Sequence, residues 1–295
     1  MNETSNNIKP QSRSMKGLWS ALVMCTIIIV GTYNSVFSYI AFVLSVITIV
    51  LLTEDDALCF MMMIMSFANI FKRSVESQSF FTYLMLFYIL WFLTKRRQIA
   101  KTFSISLIIL SIYLIWQMCF SANILRMIKF VANFLFIYLA VSHTFIHNTK
   151  KLYLSYICGI MISSSVAALN IIPNLNNYVG TEDMWIQNEQ VSRFTGMYSD
   201  PNYYSTNIII TLCLIIILNH KKYLTFIPSI CLSGIMITFV GMTLSKSAFL
   251  MLILPLELLL YSKLNKRNYL VFVGVLVAGI VGCFREDGRS KPIWV

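Results

Sequence analysis

The segment RFTGMYSDPN, residues 193–202, gathers reactive side chains in a chain that is otherwise rich in Ile, Leu, Phe and Val. Arg193 brings a permanent cation, and Gly196 permits a tight backbone turn. Asp200, Pro201 and Asn202 follow in the order of a helix start: a carboxylate able to cap, a proline suited to the first turn, and a polar residue just inside. A guanidinium folded back over a helix N-terminus makes a cradle for a diphosphate. Two more polar islands repeat the theme. TLSKSAFL sets Lys246 between two apolar runs, with Ser245 and Ser247 able to cap a helix or donate to an anion. FREDGRSKPIW sets Arg285 and Arg289 just after the last apolar run. Arg126 and Lys129 stand three apart, so a helix would present them on one face. Charges inside an apolar helix are costly and are functional candidates by default, with snorkelling to the headgroups as the plainer reading.

Positive side chains of this kind stabilise the charge that develops on a departing diphosphate. A hydroxyl that attacks as the diphosphate leaves must lose a proton, and Glu182, Asp183, Glu189 and Asp200 are the acidic candidates in the same region. His143 and His147, spaced i and i+4, read instead as interfacial residues. Neither a divalent-metal cluster nor a nucleotide-binding glycine-rich loop stands out, so no metal and no cofactor is expected.

The elements that must position these groups are apolar helices. The chain has 295 residues, 58% hydrophobic and only 12% charged, with a mean hydropathy of +0.73. A soluble domain carries roughly 25% charged residues, so an all-α polytopic membrane protein is expected. The net charge of +11 is not evidence for nucleic acid, because the basic residues recur in short clusters between apolar runs and form no single patch. The seven cysteines each lie within an apolar stretch, without a C-x-x-C pair, and read as small apolar side chains.

Apolar runs place about eleven spans, near residues 18–33, 36–52, 57–71, 80–94, 102–121, 124–142, 152–172, 202–219, 223–241, 247–261 and 268–284. Their continuity argues against a closed barrel, whose strands alternate. Residues 1–17 form a basic cytoplasmic leader, and the first span reads as an anchor that stays. Residues 18–172 hold the N-terminal helices, 173–201 an outer loop, 202–284 the C-terminal helices, and 285–295 the start of a second outer loop.

Orientation follows from the excess of Lys and Arg on cytoplasmic loops. With the N-terminus inside, the inner segments hold Lys9, Arg13, Lys16, Lys95, Arg96, Arg97, Lys101, Lys150, Lys151, Lys221, Lys222, Lys263, Lys266 and Arg267. The outer ones hold Lys72, Arg73, Arg193, Lys246, Arg285, Arg289 and Lys291. The TEDD loop at 53–56 is acidic and inside, where acidic residues carry little weight. Loop 173–201 is then outside. Its length argues for function or disorder, and its Tyr178, Trp185 and Tyr198 argue against plain disorder.

RFTGMYSDPNYYS resembles the R-x-x-G-x-x-x-x-P-N signature of the O-antigen polymerase and O-antigen ligase superfamily (Wzy-like proteins). TLSKSAFL resembles the S-R-[ST/G] turn that follows one hairpin later, and GRSKPIW resembles the G-R-x-x-x-W that opens a second large outer loop. Their order, spacing and side of the membrane agree with that family, over residues ~120–295. Lys246 stands where the family usually has arginine, which keeps the charge and loses the bidentate fork. The resemblance also implies a chain that continues past Val295 into a large loop and further spans.

What the resemblance implies is metal-independent glycosyl transfer from a polyprenyl-diphosphate-linked oligosaccharide on the outer leaflet of a bacterial cytoplasmic membrane, building a surface polysaccharide. Arg193, Lys246, Arg289 and Asp200 would be catalytic. Arg126, Lys129, Gly196, Asn202 and Ser245 would bind substrate. Membrane lipid, a flippase and a chain-length regulator are the implied partners, with no nucleic acid. Ligase-type transfer to another acceptor is a second reading. A lipid-linked saccharide transporter is a third, although no internal repeat supports it. The expected sidedness has a direct test. A cysteine introduced as Asn188→Cys is expected to react with a membrane-impermeant thiol reagent in intact cells; labelling that appears only after lysis, with expression and reactivity controlled, rejects the topology.

Overall fold

The computed structural model describes residues 15–74, 77–95, 112–113, 116, 124–144, 149–173, 175, 179, 184–186, 189–191 and 194–261. These residues are mostly α-helical. They divide into two compact units, with the boundary between Asp200 and Pro201.

In the first unit the helices are α1 (Lys16–Gly31), α2 (Ser35–Leu51), α3 (Glu54–Ile64), α4 (Phe80–Lys95), α5 (Ile124–Thr144) and α6 (Thr149–Ala168). Helix α3 runs on through a 3₁₀ turn at Met65–Phe67. A hairpin of β1 (Met184–Ile186) and β2 (Glu189–Val191) is antiparallel, with Trp185 opposite Gln190. Local chemistry sets the helix starts. The Asn34 side chain accepts the Val36 N–H at 3.0 Å to open α2. Thr53 accepts the Asp56 N–H at 3.4 Å to open α3, and Glu54, Asp55 and Asp56 complement the positive end of its dipole. The acidic TEDD segment is therefore a helix start. At the other end of α6, Asn170 takes φ 50°, and the Ile171 N–H reaches back to the Val166 carbonyl at 3.2 Å, a left-handed cap.

Helix α3 packs against both α1 and α6, with the first turns of all three around one pit, and α2 packs on α1. Their crossings are lined by small residues. A Cβ on Gly159 of α6 would stand 2.6 Å from the Met63 carbonyl oxygen of α3 and 2.7 Å from the Ser66 hydroxyl. The Ser38 hydroxyl of α2 donates to the Gly31 carbonyl of α1 at 3.1 Å. Polarity is partly inverted relative to a soluble bundle. Ser45 and Ser163 are fully buried, whereas Leu51 is 80% and Trp19 65% exposed. An aromatic core nevertheless forms between α4 and α5, where Phe136 meets Phe81 and Tyr88 edge-on.

Interactions at the ends of these helices sort the chain into two sets. At one end the Tyr33 hydroxyl donates to the Ile171 carbonyl, and the Asn69 amide donates to the Met197 carbonyl at 3.0 Å. At the other, Leu18, Asp56, Cys59, Lys151 and Ser155 line a small pit.

The second unit contains α7 (Pro201–His220), α8 (Phe226–Met242), α9 (Lys246–Met251) and α10 (Ile253–Tyr261). Helix α7 also ends in a left-handed cap, with Lys222 at φ 57° and the Tyr223 N–H bonded to the Leu218 carbonyl at 2.9 Å. The Asn219 amide braces that turn, donating to the Leu224 carbonyl at 3.2 Å and to the Ser229 hydroxyl at 3.1 Å. So short a connection makes α7 and α8 antiparallel neighbours, with α9 and α10 also packed on α7.

Eight of the expected spans coincide with described helices to within a few residues, the third being completed by the 3₁₀ turn. The tenth, expected as one helix over 247–261, breaks at Leu252 into α9 and α10. Pro255 explains the break: it has no N–H for the Met251 carbonyl, and its ring crowds that position. Span 268–284 lies outside the described residues, as does nearly all of 102–121. Among the described residues, α6 and α7 are each long and apolar enough to cross a membrane by length and composition.

The α3–α6 crossing generates a stability prediction. Alanine in place of a helical glycine gains roughly 1 kcal/mol of helix propensity. At Gly159 a rigid backbone carbonyl opposes it, and overpacking costs about 1–3 kcal/mol. Gly159→Ala is therefore expected to lower the midpoint of thermal unfolding in detergent. Gly234→Ala on α8, where a Cβ meets nothing within 4 Å, is expected to raise it or leave it unchanged.

Candidate functional site

Antiparallel packing of α7 and α8 returns the end of α8 to the start of α7, and there two of the sequence-selected segments meet. Pro201 opens α7, as expected, and Asn202 is its second residue. The Ser245 hydroxyl donates to the Asn202 Oδ1 at 2.6 Å. The Ser247 hydroxyl reaches the same oxygen at 3.0 Å and stands 2.9 Å from the Ser245 Oγ. Ser245 also caps α9, its Oγ accepting the Ala248 N–H at 3.2 Å. That Oγ has one proton and two lone pairs. The proton goes to Asn202, one lone pair takes the Ala248 N–H, and the Ser247 hydroxyl lies against the other. Ser245 is fully buried, while Asn202 is exposed.

The turn leading into this junction is held from within. Thr243 is fully buried; its hydroxyl donates to the Val240 carbonyl at 2.7 Å and accepts the Ser245 N–H at 3.3 Å. Leu244 between them adopts φ 49°, a left-handed conformation that costs an L-residue about 1–2 kcal/mol. Lys246 is the first residue of α9, between the two serines that bond Asn202.

The other part of the first segment belongs to the first unit. Gly196 adopts φ 57°, the backbone conformation its type suggested. Thr195 and Met197 are buried, and the Asn69 amide holds the Met197 carbonyl. The Tyr198 N–H closes the turn on the Thr195 carbonyl at 3.0 Å. Burial pushes the Tyr198 phenol well above the usual tyrosine range, even though the residue as a whole is partly exposed. Like any tyrosine hydroxyl it is neutral at physiological pH and can donate a hydrogen bond, and burial keeps it so at higher pH. Asp200 lies partly exposed immediately before α7.

The structure thus brings Asn202 and Ser245 into contact and places Lys246 beside them. Gly196 and Asp200 occupy the loop that precedes α7. Arg126 and Lys129 fall in the first two turns of α5, where their spacing puts them on one face. Glu189 opens β2, and His143 lies in the last turn of α5. Arg193, Arg289, Arg285, Glu182, Asp183 and His147 lie outside the described residues.

Sequence reasoning singled out Ser247 only as a cap or an anion donor, and missed Thr243, Leu244 and Asn69. The Thr-Leu-Ser-Lys-Ser order offers hydroxyls two residues apart, a weak signal for a braced turn. Nothing in the sequence marks Asn69, whose partner is 128 positions away.

No family model, no curated protein and no solved structure matches the chain.

The backbone of Gly196 makes a local prediction. A Cβ in the left-handed region costs about 1–2 kcal/mol, less for asparagine, which tolerates it. Gly196→Ala is expected to speed amide exchange or proteolytic nicking over 194–200 by roughly five- to thirty-fold, and Gly196→Asn by clearly less. Equal rates for all three chains would show that the turn does not depend on this φ.

Proposed function

We propose that the chain is a multi-pass protein of a bacterial cytoplasmic membrane, with about eleven spans and an inside N-terminus, that polymerises lipid-linked oligosaccharides on the outer leaflet. Several features support membrane insertion. Large apolar side chains cover exposed helix faces while serines and glycines fill the crossings, a pattern suited to lipid, where association relies on close packing and not on hydrophobic expulsion. The end-on contacts agree with the charge-derived sidedness. Tyr33, Asn69, Ile171 and Met197, joined at one end, all fall on the outer side, and Asp56, Lys151 and Ser155, joined at the other, on the inner side.

The observation that carries the catalytic reading is the hydrogen-bonded junction of Asn202 with Ser245 and Ser247. Two segments selected for their chemistry, 43 positions apart, meet at the end of α7 and α8 that the charge rule places outside. In the proposed reaction an acceptor sugar hydroxyl attacks the anomeric carbon of a saccharide on polyprenyl diphosphate. The bond from that carbon to the diphosphate oxygen breaks, and the diphosphate leaves with the electron pair. Arg193 and Lys246 meet the growing negative charge, Arg289 helps to place donor or acceptor, and a carboxylate such as Asp200 takes the hydroxyl proton. Gly196 lets the loop turn before α7. Arg126 and Lys129 draw the anionic headgroup to the outer surface.

Turnover of a polyprenyl-diphosphate saccharide by the purified full-length protein tests this, with a metal chelator present. Lys246→Arg is expected to match or exceed the parent, because it keeps the charge and adds a fork. Lys246→Gln is expected to lose about tenfold to a hundredfold, the value of one charge-assisted contact. Arg193→Ala is expected to abolish polymer while membrane levels stay near normal. Equal turnover for lysine and glutamine at 246 removes the diphosphate role, and dependence on a divalent ion removes the metal-free mechanism.

A further inference from the structure

Asn202 is exposed at the start of α7, the position at which a polar side chain would be expected to touch substrate. Its amide oxygen is nevertheless turned to the protein, receiving the Ser245 hydroxyl at 2.6 Å and lying 3.0 Å from the Ser247 hydroxyl. We infer that Asn202 is a positioning residue: its carboxamide oxygen clamps the two serines that flank Lys246, and so fixes the backbone from which that lysine projects.

This rests on the proposed role of Lys246 and deepens it. Three observations carry the assignment. First, the hydroxyl of Ser245 has no proton left to give an anionic ligand. Its proton is given to Asn202, and one of its lone pairs takes the Ala248 N–H. Ser245 is also fully buried, so a substrate anion does not reach it without breaking the cap of α9. Second, the turn holds a strained residue. Leu244 at φ 49° is an unfavourable left-handed position for a bulky side chain. Such a conformation persists only where its surroundings over-determine it. The Thr243 hydroxyl supplies one restraint, through the Ser245 N–H, and Asn202 supplies the other through the serine hydroxyls. Third, the clamp joins two helices of the same unit. One oxygen on α7 receives donors on both sides of Lys246, so the lysine's backbone is tied to α7 at the residue before it and the residue after it.

Positioning and substrate contact differ in what replaces asparagine. A clamp needs only an acceptor, which aspartate keeps. A contact with an anionic diphosphate is instead reversed in sign by aspartate. The experiment has two arms. In the first, Lys246→Cys is made in the full chain, and alkylation at residue 246 by a water-soluble maleimide is followed by mass spectrometry. With Asn202→Ala the rate is expected to change by threefold or more as the turn loosens. With Asn202→Asp it is expected to stay within about twofold of the asparagine chain. Equal rates in all three overturn the clamp.

In the second arm Lys246 is retained and turnover is measured. Asn202→Ala is expected to lower kcat about tenfold to a hundredfold, the loss of two hydrogen bonds, with KM moved less than threefold. Asn202→Asp is expected to restore kcat to within about threefold. A rise confined to KM, with aspartate the worst variant, assigns Asn202 to substrate and overturns the clamp. Where Asn202→Ala does not reach the membrane, Ser247→Ala removes one of the two donors, and the same kcat loss is expected at about threefold to tenfold. No turnover by the parent, together with the expected alkylation pattern, would refute the glycosyl-transfer reading and leave the clamp standing.

Discussion

A Cβ on Gly159 would press to within 2.6 Å of a backbone oxygen on α3, so the two helices can cross there only because no side chain intervenes. Close approach of backbones is the constraint on which the rest of the first unit depends. At that crossing a larger side chain would collide. Large apolar residues fill the core around it, as Phe60, Met63 and Phe67 do, and also cover the outside, where Trp19, Val23 and Leu51 stand exposed on α1 and α2. Buried serines share the interior, and several return their hydroxyls to their own helix, as Ser155 does to Lys151 at 2.9 Å and Ser163 to Ile160 at 3.1 Å. Such a surface is a liability in water and an advantage in hydrocarbon.

With helices fixed in this way, their ends become the places where polar chemistry can be held. Loops emerging at one end find carbonyls and amides from other helices within reach. Asn69 holds the Met197 carbonyl, and that bond anchors the turn that Gly196 makes possible. In the second unit the α7–α8 hairpin does the same over a shorter path. Bracing of its turn by Asn219 at one end and the Asn202–serine clamp at the other defines the register of the pair. Both units thus use an asparagine side chain to tie a loop to a helix end.

Helix positions were legible because apolar runs bounded by charge leave few alternatives, and the start at Pro201 followed from its own residue types, whereas the start at Thr53 reads as a loop in the sequence because its acidic first turn interrupts the apolar run. The break at Leu252 was also written in the sequence, as Pro255, but hydropathy alone reads across it. At the site, the types were readable and the partners were not. Gly196 announced a turn, and Ser245 announced a cap. That Ser245 bonds Asn202 depends on α8 bringing one segment back to the other, which residue spacing does not encode. Neither did the sequence reveal that Leu244 would take a left-handed conformation, since leucine gives no local reason for it.

Lysine at 246 gives the clamp its purpose in the proposed reaction. An arginine carries a planar fork that orients itself on a phosphate through two parallel bonds. A lysine offers a point charge on a flexible four-carbon stem, and its stabilisation of a leaving group depends on where the stem begins. Electrostatic catalysis gains most from charges that need no reorganisation as the reaction proceeds. Fixing the backbone on both sides of residue 246 shortens the search of a flexible cation, at the expense of a strained leucine beside it. Where a fork replaces the point charge, as in Lys246→Arg, part of that positioning passes from the turn to the side chain. Loss of the Asn202 acceptor should then matter less than it does with lysine in place.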